Sequence, residues 1–135
     1  MLELVAQVLA YAGVGIVVLF VGFIVVDLLT PGHLGRLVVD GNPNAATLSV
    51  SALVSLGLIL WFAIFFTGAG WGGLDDAAVF GAVGVLAQAV GFLVLDLLTP
   101  GRLGQAVMQP RFQTATAVSS AIHVSVALSV CASLT

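Results

Sequence analysis

Apolar side chains run through this chain in four long blocks, separated by short stretches where glycine, proline and polar residues gather. A membrane helix needs about 20 mainly apolar residues to cross about 30 Å of hydrocarbon, and each block is long enough. The first runs from about Leu4 to Leu29 and ends at Pro31-Gly32, because proline removes a backbone donor and glycine loosens the helix. The second spans about Ala45 to Phe66 and ends in Gly68-Ala69-Gly70. The third starts near Ala77 and ends at Thr99-Pro100-Gly101, with Asp75 and Asp76 just ahead of it, where carboxylates suit the positive end of a helix dipole. The fourth, about Ala115 to Leu134, is the most polar. The pattern predicts an all-α membrane protein of four transmembrane helices.

The first and third blocks end alike. Val21–Gly35 reads VGFIVVDLLTPGHLG and Val90–Gly104 reads VGFLVLDLLTPGRLG. Val21 aligns with Val90, and the same offset continues without gaps to the C-terminus. Such self-similarity marks a tandem repeat. The expected units are two helical hairpins, residues 1–70 and 71–135, forming one integrated membrane domain. Each hairpin crosses twice, so both enter from the same side. That is a parallel repeat, for which a pseudo-two-fold axis along the membrane normal is expected.

Charge then orients the hairpins. Arg36, Arg102 and Arg111 are the basic residues of a chain without lysine, and all lie in the two Pro-Gly loops. The positive-inside rule puts those loops in the cytoplasm and both termini outside, with Trp71 at the outer interface. Only 7% of residues are charged, against about 25% in soluble domains, so the composition predicts an integral membrane protein. A net charge of −3 argues against nucleic acid, which needs a basic face. The single cysteine, Cys131, forms no disulfide within the chain. Ala12, Gly15 and Gly22, with Gly81, Gly84 and Gly91 at the matching places, fall on one helix face and favour close helix approach, within a protomer or between copies.

Several residues could carry chemistry. Asp27 and Asp96 lie about 5 Å inside the apparent cytoplasmic ends of their helices, where the helix dipole and lipid both disfavour a carboxylate. For both, the plain reading is an interfacial position, snorkelling or bonding to the loop backbone that follows, and the sharper one is ion pairing with Arg36 and Arg102, one in each loop. Gln88 and His123 share a depth near mid-membrane and are placed to hydrogen-bond across the second hairpin, while Leu19 and Val54 stand at the matching positions of the first. Thr116, Ser119, Ser120 and His123 form a polar stripe on the fourth helix. It reads as interhelical glue or as the lining of a pore or small-ligand site. One histidine does not make a metal site, and no nucleotide loop or nucleophile–base pair is visible. No enzyme, cofactor or metal is therefore expected. In the first loop, Leu34, Leu37 and Val38 suit a short amphipathic turn lying on the membrane surface, and Asp40-Gly41-Asn42-Pro43 is turn chemistry with Asn42 or Asn44 as the cap of the second span.

The duplicated hairpin, the Leu29-Thr30-Pro31 step and its copy at Thr99-Pro100, and Gly41-Asn42 followed by Ala45-Ala46 resemble the YjfL-like family of small four-helix bacterial inner-membrane proteins of unknown function. Pro43 and Asn44 interrupt that last element, and Pro110-Arg111 replaces its copy in the second hairpin. The resemblance implies a multi-pass inner-membrane protein and supplies no activity. The partners expected are the lipid bilayer and either further copies of the chain or another membrane or cytoplasmic subunit. The rival reading is a small ion or proton channel or transporter built on Asp27, Asp96, Gln88 and His123.

Overall fold

A computed structural model describes residues 1–67 and 70–135. Gly68 and Ala69, part of the expected stop of the second span, lie outside them. Six helices follow in order: α1 Leu2–Leu29, α2 Leu34–Val39, α3 Pro43–Phe66, α4 Gly72–Leu98, α5 Leu103–Val107 and α6 Thr114–Ser133. The four long ones, α1, α3, α4 and α6, are long and apolar enough to cross a membrane. They match the four apolar blocks, with α4 starting earlier than expected so that Asp75 sits inside its first turn. The short helix α2 occupies the loop after α1, buries Leu34 and leaves Val39 in the open. Its counterpart α5 was not expected from the sequence and buries Leu103, Gly104 and Val107.

The bundle is a rhombus. Helix α1 packs on α4, α3 packs on α6, and α3 and α4 form the short diagonal, while α1 and α6 make at most marginal contact. Burial follows this plan. Helix α3 is the most enclosed, with Leu48, Ala52, Leu56, Ile59, Leu60 and Ala63 all buried. Helix α1, about 42 Å long at 1.5 Å per residue, buries only Gly22 and Val26. A core cluster gathers Val26, Leu34, Leu48, Phe92 and Val107 at the Pro-Gly end of the bundle. At the opposite end the Tyr11 hydroxyl donates to the Gly70 carbonyl at 2.8 Å.

Glycines set the closest approaches. A Cβ on Gly81 would lie 2.9 Å from Val18 of α1, and one on Gly84 would lie 2.9 Å from Ile59 of α3. Gly22 takes Leu56 of α3 against its backbone, with Val85 of α4 at 3.3 Å from a built Cβ. Gly15 has nothing within 4 Å of that position. The expected single face of small residues is therefore divided, with most of it used inside the chain. The expected two-fold axis is also not the relation found. A two-fold that carries α1 onto α4 and α3 onto α6 turns the α3–α4 contact into an α6–α1 contact, and those helices do not pack together.

The two loops meet at Gly104. A Cβ there would lie 2.6 Å from Pro31 Cγ, a rigid ring that has no other rotamer to adopt, whereas at Gly35 the nearest atoms would be 3.8 Å away. Gly104→Ala is expected to cost about 1–3 kcal/mol by forcing the loops apart. Gly35→Ala is expected to leave the stability of the chain nearly unchanged. Thermal unfolding of the two purified variants against wild type checks this.

Candidate functional site

Both Pro-Gly turns are built in the same way. Thr30 Oγ1 donates to the Val26 carbonyl and Thr99 Oγ1 to the Leu95 carbonyl, both at 2.8 Å, finishing α1 and α4. The chain then passes Pro31 or Pro100 and reverses through Gly32 at φ 91° and Gly101 at φ 93°, followed by His33 at φ 60° and Arg102 at φ 61°. This left-handed stretch is natural for glycine and uncommon for other residues. It aims the next backbone N–H groups back at the helix just ended. Gly35 N donates to Asp27 Oδ1 at 2.8 Å, and Gly104 N donates to Asp96 Oδ1 at 3.2 Å. Each carboxylate thus meets the first turn of the short helix that follows, where free N–H groups and the dipole favour negative charge. That offsets the unfavourable end of its own helix. The expected pairing with Arg36 and Arg102 is not found among the described residues. The one ion-pair geometry there is His33 Nδ1 to Asp27 Oδ2, at 3.5 Å, and His33 is largely exposed. Backbone donors a turn away satisfy the carboxylates, and the guanidinium groups are not needed.

Between the loops sits a residue whose place in the sequence suggests no more than a helix cap. Asn42 is the cap, its Oδ1 accepting from Asn44 N at 2.9 Å and Ala45 N at 3.1 Å, with Pro43 in the first turn and Gly41 at φ 81° before it. Asn44 reaches across instead. Its Nδ2 donates to the Gln109 and Arg111 carbonyls at 2.9 and 2.8 Å, and its Oδ1 accepts from Gln113 N at 2.7 Å and Thr116 Oγ1 at 3.0 Å. Asn42 Nδ2 adds a bond to the Gln109 carbonyl at 3.1 Å. Asn44 and Thr116 are both fully buried. The available signal was the polar pair Asn42 and Asn44 flanking a proline, more than one cap requires.

Gln88 and His123 do meet. Gln88 Nε2 donates to the His123 carbonyl at 2.9 Å, which orients the amide, and Gln88 Oε1 then contacts His123 Nδ1. A carbonyl oxygen only accepts, so Nδ1 carries the proton and Nε2 is the free ring nitrogen. Phe92 lies beside the ring, with centroids 6.1 Å apart. The gap bordered by Gln88, Phe92, Ile122 and His123 has no room for a water molecule. His123 Nε2 and the hydroxyls of Ser55, Ser119 and Ser120 are buried without a partner. The outward serines of α6 are otherwise: Ser125 and Ser129 donate to the Ala121 and Ser125 carbonyls of their own helix. No three His, Cys, Asp or Glu side chains among the described residues are grouped to share a metal ion.

The arrangement thus comprises two carboxylate-latched turns, an asparagine bridge between them and a dry midplane pair. The family model described as Domain of Unknown Function (DUF350) matches residues 1–134. The chain belongs to the DUF350 family. Among its relatives is a UPF0719 transmembrane protein of Mycolicibacterium paratuberculosis, 40% identical over 103 residues, which cover 75% of this chain and 68% of the relative. UPF0719 transmembrane proteins of Mycobacterium bovis and Mycobacterium tuberculosis are each 37% identical over 126 residues, covering 92% of this chain and 83% of theirs. No solved structure gives a significant match. Neither set of names carries the YjfL-like label; the family description gives unknown function and the relatives' names give a transmembrane protein, and together they fit what the resemblance implied. This DUF350 chain is a multi-pass membrane protein, and its spans are in contact with the bilayer.

Proposed function

We propose that this DUF350 protein is a non-enzymatic bacterial inner-membrane protein that acts by associating, with further copies of itself or as the membrane subunit of a larger assembly. The observation that carries this reading is α1, a helix of 28 residues that buries only Gly22 and Val26 in its own chain. In lipid there is no hydrophobic penalty for such exposure, and the gain from covering it is packing against another helix. A cleft of about 770 Å³ between α1 and α4, lined by Val14, Val17, Ala78, Ala82 and other apolar residues, leaves further surface for such packing. The groups a transporter would use support the same reading. Asp27 and Asp96 are latched to backbone, and the Gln88–His123 pair has no watery space beside it. Two tandem hairpins with the Pro-Gly loops in the cytoplasm, where Arg36, Arg102 and Arg111 would lie, and with both termini outside, complete the reading.

A small channel or transporter is the second reading. What favours it is the group of unpartnered polar atoms within the bundle, His123 Nε2 with the Ser55, Ser119 and Ser120 hydroxyls. Two measurements separate the readings. The native mass of the wild-type protein in lipid nanodiscs is expected to be a multiple of 13.7 kDa beyond the lipid, or to include a co-purified subunit. Ion and proton flux into proteoliposomes is expected to stay at the level of empty liposomes, for wild type and for the Asp27→Asn, Asp96→Asn double variant alike. Flux that the double variant loses supports the transporter reading and overturns the first.

A further inference from the structure

We infer that copies of this chain join head to tail, through a repeat of the same contact that joins its own two halves. The inference rests on the association reading above and specifies its geometry. Within the chain, the contacts that tie the first half to the second include Ile59 against Gly84, Val18 against Gly81, and Met108 against Gly32. The internal alignment gives each of these residues a counterpart in the other half. The counterparts pair as Leu128 with Gly15, Ala87 with Ala12, and Val39 with Gly101. Under a two-fold relation these three pairs form inside the same chain. They do not. Gly15 and Gly101 have nothing within 4 Å of a built Cβ, Ala12 is exposed, and Leu128 is 54% and Val39 86% exposed.

The unmade pairs divide by half in a consistent way. Ala12, Gly15 and Val39 belong to the first half, and Ala87, Leu128 and Gly101 to the second. The second half therefore presents the surface that the first half already uses to hold its neighbour. The first half presents the surface that the second half already uses. A second copy placed on the back of the first makes all three contacts at once, as one heterologous interface. It keeps the same orientation in the membrane, because both hairpins run in the same direction. This also accounts for Gly15. Glycine inside a helix costs about 1 kcal/mol relative to alanine, and nothing in the single chain approaches Gly15 closely enough to require it. Its counterpart Gly84 admits Ile59, and Gly15 of the next copy would admit Leu128 in the same manner. Repetition of this step yields a ring if the rotation between copies closes and a linear row if it does not.

Cross-linking in native membranes tests this. The buried Cys131 is first replaced by alanine, and Gly15→Cys and Leu128→Cys are introduced singly and together. With a short thiol-specific linker, the double variant is expected to give a ladder of dimers, trimers and larger species. Each single variant should remain a single chain, and co-expression of the two singles should give dimers only. A control with Ile59→Cys and Gly84→Cys should link within one chain. Dimers from either single variant, or an intrachain Gly15→Cys to Leu128→Cys link without a ladder, overturn the head-to-tail arrangement. Gly15→Leu, whose Cβ meets no atom within 4 Å in the single chain, is expected to reduce the wild-type native mass to that of a monomer while thermal unfolding of the chain is retained. A wild type that is monomeric in nanodiscs, with no partner, overturns this inference and the association reading together. An oligomer lacking the predicted cross-links, with the control intact, overturns this inference alone.

Discussion

Replacing Gln88 by leucine and His123 by valine together is expected to cost less stability than the two single replacements added. These are the residues the chain already carries at the matching first-half positions, Leu19 and Val54. Gln88 uses both ends of its amide on His123, donating to the backbone carbonyl and contacting Nδ1 with Oε1. Gln88→Leu alone leaves the ring N–H and the already unpartnered Nε2 in an apolar bundle, at about 1–3 kcal/mol for the stranded polar group. His123→Val alone strands Oε1, but retains the bond from Gln88 Nε2 to the backbone and removes the unsatisfied Nε2. It is expected to be the milder single change. The double variant strands only the residue 123 carbonyl, which keeps its helical donor, and should be no less stable than Gln88→Leu. Hydrogen bonds between membrane helices are worth about 0.6 kcal/mol on average and up to about 1.7, so the coupling should lie in that range. A double-mutant cycle by equilibrium unfolding in lipid measures it. Strict additivity means that the pair is not a unit.

That pair was legible because its signal is depth. Hydrocarbon thickness fixes how many residues a span holds, so two polar residues near the middle of neighbouring spans lie at one level however their helices are rotated. The spans were legible for the same reason, and so was the likeness of the two Pro-Gly turns, which differ only at His33 and Arg102 from Thr30 to Gly35 and from Thr99 to Gly104. The partners of Asp27 and Asp96 were less so. A guanidinium is visible in a sequence and draws the eye to Arg36 and Arg102, whereas the actual donors are the backbone N–H groups of Gly35 and Gly104. Any residue but proline carries such a donor, and only the left-handed turn through Gly32-His33 or Gly101-Arg102 aims it at the carboxylate.

The relation between the hairpins was hidden more deeply. Parallel direction follows from counting crossings, but the rotation between repeats does not. It is decided by which surfaces interlock, and here Gly81 and Gly84 of α4 receive Val18 and Ile59, while of their counterparts Gly15 has nothing within 4 Å of a built Cβ and Ala12 is exposed. The same glycine spacing is compatible with a closed pair and with an open step. Helix α5 escaped notice because Leu103–Val107 is too short to show a period, and its burial comes from the neighbouring loop.

Loss of the Asn44 side chain should be the most damaging single change where the loops meet, with Asn44→Ala costing about 3–4 kcal/mol. Asn44 uses two donors and two acceptor positions, its whole amide capacity, and every bond runs to the segment between Gln109 and Thr116. Alanine strands Gln113 N and the buried Thr116 hydroxyl, at about 1–3 kcal/mol each. Water can reach the Gln109 and Arg111 carbonyls, whose residues are exposed, which keeps the total below the sum of four losses. Asn42→Ala offers the comparison. It removes a helix cap and one exposed cross-loop bond, and is expected to cost about 1 kcal/mol. Asn44→Asp separates hydrogen bonding from packing. It preserves shape and the acceptor side, but turns a second oxygen toward two carbonyls, so it should be at least as destabilising as alanine. Thermal unfolding gives the magnitudes. Limited proteolysis in membranes should show cleavage at Arg111 rising in Asn44→Ala and Asn44→Asp and staying near wild type in Asn42→Ala. Equal cleavage in the three variants means that the cap, and not the Asn44 bridge, holds the second loop in place.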